Sequence, residues 1–149
     1  MVIAHVASGL LALLAGGGVV LTRKGTTRHR RVGWCYTAAM VALLGTSFGI
    51  RAVSGSFTIF HGVSTASTAV LLAGLSLPVS LRHRVADWTA WHLRLMLTSY
   101  LMLVVTMAAQ FFDELPLPHP ALNAIVFLQL PTVVGFVLIV RAARRPIPG

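Results

Sequence analysis

Val2–Leu21, VIAHVASGLLALLAGGGVVL, is followed at once by Thr22–Val32, TRKGTTRHRRV. An uncharged apolar stretch gives way to a segment carrying five Lys and Arg residues. A bilayer core of ~30 Å is crossed by roughly 20 apolar helical residues. The first stretch therefore has the length of one crossing, and the second has the composition of a surface loop. The alternation continues along the chain. Further apolar runs occupy 34–53, 57–80, 93–112 and 121–140, and further basic stretches run from Arg82 to Arg94 and from Arg141 to Arg145. Only helices and closed barrels pair every backbone polar group inside lipid. Barrel strands show ~10-residue alternating segments, whereas these runs are continuous and twice as long. The sequence predicts an all-α integral membrane protein of five transmembrane helices in a single domain, residues 1–149.

Charge sets the expected orientation. Eleven of the twelve Lys and Arg residues fall in the three basic stretches, and five crossings place all three on one side. Arg51, Asp113 and Glu114 fall on the other. Positively charged loops stay in the cytoplasm, so the N-terminus is expected outside and the C-terminus inside a bacterial cytoplasmic membrane. The first run lacks a basic n-region and a small-residue cleavage site, so it reads as a retained helix rather than a signal peptide.

Composition excludes several function classes. The chain is 56% hydrophobic, with a mean hydropathy of +0.84, too much apolar surface for a soluble fold of this size to cover. The net charge of +9 sits at helix ends rather than on one basic face, which argues for lipid and against nucleic acid. The one cysteine, Cys35, allows no internal disulfide and no CxxC chemistry. No carboxylate pair, Ser-His-Asp set or HExxH motif points to a hydrolase.

Local features refine the helices. His5, Gly9, Ala12 and Gly16 form one stripe of the first helix, and Gly62, Ala66, Ala69 and Ala73 one of the third; small residues permit close helix approach. Gly16–Gly18 loosens the end of the first helix. Pro78 and Pro131 are expected to kink their helices. Asp113–Pro120, DELPLPHP, cannot be helical throughout. Trp88 and Trp91 suit an interfacial belt.

The histidines carry the candidate chemistry. His5 and His61 lie near the outer ends of the first and third helices, each ~6 Å deep at 1.5 Å per residue. His29 and His92 open the second and fourth helices at the inner surface. Diagonal helices of a four-helix bundle face each other, and paired imidazoles at matched depth are what bis-histidine haem requires. The pairs His5/His61 and His29/His92 are therefore candidate haem b ligands in an electron-transfer protein. The bland alternatives are hydrogen bonding between helices and lipid-phosphate contact.

Arg23, Lys24, Arg28, Arg30 and Arg31 form an expected contact surface for anionic headgroups or a partner. Arg51, Gln110, Asp113 and Glu114 form a candidate outer polar pocket for a quinone headgroup or small anion, though a structural ion pair serves the same residues. The hydroxyls of Ser64, Thr65, Ser67 and Thr68 read as bonds to preceding carbonyls or neighbouring helices.

His5-Val-Ala-Ser8-Gly9, His29-Arg30-x-x-Gly33-x-x-Tyr36 and His92-x-Arg94-x-Met96-x-x-Ser99-Tyr100 resemble the signatures of a family of small, mostly bacterial membrane proteins of unknown function. The resemblance covers roughly residues 5–112 and implies a helical membrane protein without supplying a reaction. The paired-histidine plan also resembles transmembrane diheme cytochromes b in arrangement alone. Two other functions fit the same chain: an accessory subunit of a larger membrane complex or homo-oligomer, and a lipid or small-molecule binding module.

Overall fold

The computed structural model describes the backbone of residues 1–54, 59–114 and 116–144, and their side chains apart from those of 51–54, 59, 114 and 142–144. Among the described residues every regular element is helical. These are α1 (Val2–Leu21), α2 (Thr27–Ser54), α3 (Ile59–Ser76), α4 (Trp88–Gln110), α5 (Pro120–Asn123) and α6 (Leu130–Arg144). A π-helical segment, Leu77–Leu81, extends α3, and a second, Ala124–Gln129, joins α5 to α6. Five segments are long and apolar enough to cross a membrane: Val2–Leu21, Thr27–Ile50, Phe60–Leu81, Trp88–Gln110 and Pro120–Arg141. Length and composition are those of a multi-pass membrane protein.

The helices differ from the apolar runs at their starts. α2 begins at Thr27 rather than near residue 34, so the loop is only Thr22–Thr26. Gly25 makes the turn at φ +79°, a conformation that costs glycine nothing. Thr26 then caps α2, its hydroxyl oxygen accepting from the His29 backbone N–H at 3.2 Å. That bond satisfies one of the donors a helix N-terminus leaves unpaired. Arg28, Arg30 and Arg31 consequently ride on the first turns of a helix. α4 likewise starts at Trp88, ahead of the apolar run, after Asp87 at φ 53°. Hydropathy marks where a helix enters lipid, not where its hydrogen bonding begins.

Both expected proline kinks fall at π-helical segments. Pro78 lies within Leu77–Leu81, and Pro131 stands two residues beyond Gln129, so that the carbonyl it leaves without a donor, that of Phe127, lies within Ala124–Gln129. A proline leaves the carbonyl four residues earlier without its donor, and the wider i→i+5 turn is one way a helix accommodates the break. α1, by contrast, runs unbroken through Gly16–Gly18 to Leu21. Around the proline-rich segment, Phe112–Glu114 is a 3₁₀ turn and the helix resumes only at Pro120.

The chain divides into two compact units, Met1–Thr68 and Ala69–Gly149. In the first, α1 packs along α2. The buried residues of α1 are Gly9, Ala12 and Gly16, the expected small stripe, and α2 buries Tyr36, Ala39, Met40 and Leu44. A Cβ on Gly18 would stand 3.3 Å from Val32 Cγ1, so the backbones approach closely at that end. In the second unit α4 packs on α6. A Cβ on Gly135 would stand 2.6 Å from Leu101 Cδ1. The rest of α6 exposes Val133, Val134, Phe136, Val137 and Leu138, a face suited to lipid. The small stripe of α3 behaves differently from that of α1. Gly62, Ala66, Ala69 and Ala73 are exposed, and α3 buries His61, Ser67, Leu71 and Gly74 instead.

Candidate functional site

In the first unit, polar side chains of three helices meet near one level. The His5 ring reaches from α1 to α2, with Nδ1 3.0 Å from Thr46 Oγ1. The Thr46 hydroxyl has one hydrogen, and it points back along α2 to the carbonyls of Ala42 at 2.8 Å and Leu43 at 2.9 Å. With that hydrogen committed to a carbonyl, Thr46 Oγ1 would accept from Nδ1–H of His5, which would leave the lone pair of the neutral ring on Nε2. The next residue, Ser47, meets Ser64 of α3 with oxygen atoms 2.9 Å apart. His61 lies one turn before Ser64 on α3 and is 6% exposed. α2 therefore joins α1 and α3 through consecutive residues, with His5 on one side of the link and His61 next to the other.

Thr65 and Thr68 of α3 bond to preceding carbonyls, one of the two forms expected. Thr65 Oγ1 donates to His61 O at 2.9 Å, and Thr68 Oγ1 to Ser64 O at 2.8 Å. Ser64 takes the other expected form by reaching a neighbouring helix, α2.

His29 and His92 belong to different units. His29 is half-buried on the first turn of α2, with Nδ1 3.4 Å from Thr22 Oγ1. The Thr22 hydroxyl donates to Val19 O at 2.9 Å. His92 is half-buried on α4, with Nδ1 2.8 Å from Gly74 O of α3. A carbonyl only accepts, so His92 Nδ1 carries the hydrogen and Nε2 the lone pair of the neutral ring. Gly74 permits this bond by lacking a side chain. A Cβ there would stand 2.9 Å from Met96 Sδ and 3.2 Å from Leu95 Cβ.

The basic cluster divides by role. Lys24 Nζ donates to Val19 O at 3.1 Å and Val20 O at 2.9 Å, closing the C-terminal end of α1, where carbonyls lack partners and the helix dipole favours a cation. Partial burial there lowers the Lys24 pKa from the usual lysine value. Arg23, Arg28, Arg30 and Arg31 are exposed. In the candidate outer pocket Gln110 and Asp113 are exposed, while the side chains of Arg51 and Glu114 lie outside those described. Cys35 is an exposed free thiol.

Among the described residues no three His, Cys, Asp or Glu side chains gather as a metal site would require. The histidines meet other groups instead: His5 faces Thr46, His29 faces Thr22 and His92 the Gly74 carbonyl. Haem, which takes one imidazole on each face of its iron, asks for no more than two. Ligating histidines generally donate their other ring N–H to a carbonyl, carboxylate or similar acceptor. Nδ1 of His92 is engaged in that way by the Gly74 carbonyl, and Nδ1 of His5 faces Thr46 Oγ1.

Sequence reading found the histidines but missed their partners. The Thr26 cap had a local signal, a threonine ahead of a helix-forming run. Thr46, Ser47 and Gly74 had none, because their roles arise only when two helices are set side by side. Compared with known proteins, the chain matches no family model, no curated protein and no solved structure.

Proposed function

We propose that this chain is a membrane-embedded electron-transfer protein carrying a b-type haem, with His5 and His61 as the axial pair. The observation that supports this reading is the polar link His5–Thr46, Ser47–Ser64 beside the buried His61. Intramembrane ionisable residues are expensive, and they collect where a site needs them. Haem would supply one-electron chemistry at the iron. The residues of this chain would hold it through Nε2 of His5 and a ring nitrogen of His61. Thr46 would orient the His5 ring by accepting from Nδ1–H. His92, with its Nδ1–H on Gly74 O, is oriented in the same way for a second ligand role.

The test is optical. Protein expressed with haem supplementation and purified from membranes should show a Soret band and a low-spin reduced spectrum. His5→Ala and His61→Ala should each convert it to a high-spin spectrum or abolish it. Thr46→Val should keep the haem and raise its potential, because the imidazole loses the acceptor that strengthens its donation. Colourless protein with intact helices rejects the reading.

A second reading is an accessory subunit in the bacterial cytoplasmic membrane, N-terminus outside and C-terminus inside. It is favoured by the exposed apolar face of α6 and by the exposed Arg23, Arg28, Arg30 and Arg31. Colourless protein that co-purifies in stoichiometric amount with another membrane subunit supports it.

A further inference from the structure

In the second unit, an open apolar groove of about 240 Å³ lies where the α3 extension meets the start of α4. Its walls include Ala73, Leu77, Leu81, Val85, Trp91 and Leu95. The hydroxyl of Ser76, the polar side chain on the lining, donates to Ala73 O at 2.8 Å and is committed to its own helix. The groove thus offers little to a polar ligand. Its volume is below the ~300–1,000 Å³ of pockets that enclose drug-sized molecules, which favours one narrow flexible chain over a ring system.

The rim has the opposite character. Leu81 closes one candidate span and Trp88 opens the next, so the mouth falls at headgroup level. Arg82 and Arg84 follow the groove wall directly and are exposed. Arg82 Nε donates to His83 Nε2 at 2.9 Å, and the Arg84 N–H is fixed in a turn on Leu81 O at 2.9 Å. Arg94 stacks over the Trp91 ring at 4.8 Å, which adds a third cation beside the wall. Asp87, also exposed, is the one carboxylate in this connection.

We infer that this groove is a site for an anionic phospholipid, with one acyl chain between the end of α3 and the start of α4 and the phosphate on Arg82 and Arg84. Charge complementarity and the pairing of an apolar slot with a basic rim carry the assignment. It uses none of the histidines proposed to hold haem and none of the basic residues between α1 and α2.

The experiment reads Trp91 alone. Trp34→Phe with Trp88→Phe leaves it as the only tryptophan. The protein is reconstituted into vesicles of phosphatidylcholine containing increasing brominated phosphatidylglycerol, or brominated phosphatidylcholine as the control. Bromine on the acyl chain quenches nearby tryptophan. Quenching should saturate at a lower mole fraction for the anionic lipid. Arg82→Gln and Arg84→Gln should each weaken that preference about fivefold, the factor one basic residue near an anionic surface supplies. Ala73→Phe, which fills an exposed part of the groove, should reduce quenching by both lipids while leaving the helix content unchanged. Equal quenching by the two lipids, or quenching that Ala73→Phe leaves untouched, overturns the site. If Ala73→Phe disturbs the fold, Ala73→Leu serves as the same test with less added volume.

Discussion

Replacing Gly74 with alanine tests how α3 and α4 are held together. The added Cβ would stand 2.9 Å from Met96 Sδ and 3.2 Å from Leu95 Cβ. The sulfur sits on a flexible side chain and can retreat. Leu95 Cβ is fixed to the α4 backbone, so the helix itself must move. That motion also lengthens the 2.8 Å bond from His92 Nδ1–H to Gly74 O. Overpacking of this kind costs ~1–3 kcal/mol, and an interhelical polar bond in a membrane contributes ~0.6 kcal/mol. Alanine recovers about 1 kcal/mol through helix propensity. The balance is a net loss of about 1.5 kcal/mol. Reversible unfolding in mixed micelles, titrated with a denaturing detergent, measures it directly. The same titration on His92→Phe, alone and with Gly74→Ala, closes a double-mutant cycle. His92→Phe should cost less in the alanine background, because the bond it removes is already weakened. If Gly74→Ala is as stable as the parent, or the two substitutions are additive, the close approach does not hold these helices.

Thr26→Val should destabilise by about 1 kcal/mol through loss of the α2 cap, visible as a lower thermal midpoint; Thr26→Asn should retain most of the stability. Asn123 is 6% exposed and clamps Leu117, donating to its carbonyl at 3.2 Å and accepting from its N–H at 3.2 Å. Asn123→Ala should therefore cost ~1–3 kcal/mol and make the segment before α5 more accessible to protease, and unchanged cleavage refutes the clamp. A reporter fused after Gly149 should be active only in the cytoplasm, and periplasmic activity reverses the orientation expected from the basic loops.

The spans were legible because lipid imposes one requirement on every residue along them. The stripe of α1 was also legible, and Gly9, Ala12 and Gly16 are its buried residues. The equivalent stripe of α3 misled. Gly62, Ala66, Ala69 and Ala73 permit close packing without compelling it, and a small residue facing lipid costs little. α3 buries Ser67, Leu71 and Gly74 instead, a face with no compositional mark. Helix starts were read late because Arg28, Arg30 and Arg31 are good helix formers that hydropathy counts as loop. At the candidate site, His5 and His61 stood out as ionisable residues within apolar runs. Thr46 did not, since its partner lies 41 residues away and the pairing depends on the register of α1 against α2. Proline gave the position of each distortion but not its form, because a missing N–H can be met by a kink or by a wider turn.

The wider turns have a consequence for chain length. A π-helical turn holds roughly one residue more than an α turn. Losing one residue from Leu77–Leu81 would restore α geometry there. Because the wider turn already accommodates that extra residue, the downstream residues would keep nearly their direction and depth. Hydrophobic thickness would scarcely change and Arg82 and Arg84 would keep their aim, whereas the same deletion in an α-helical part of a span would swing everything beyond it by ~100°. The second such segment, Ala124–Gln129, gives α6 the same slack relative to α5. The chain thus has two places where a one-residue deletion is absorbed by the turn itself, leaving the aim of the residues beyond it and the crossing intact.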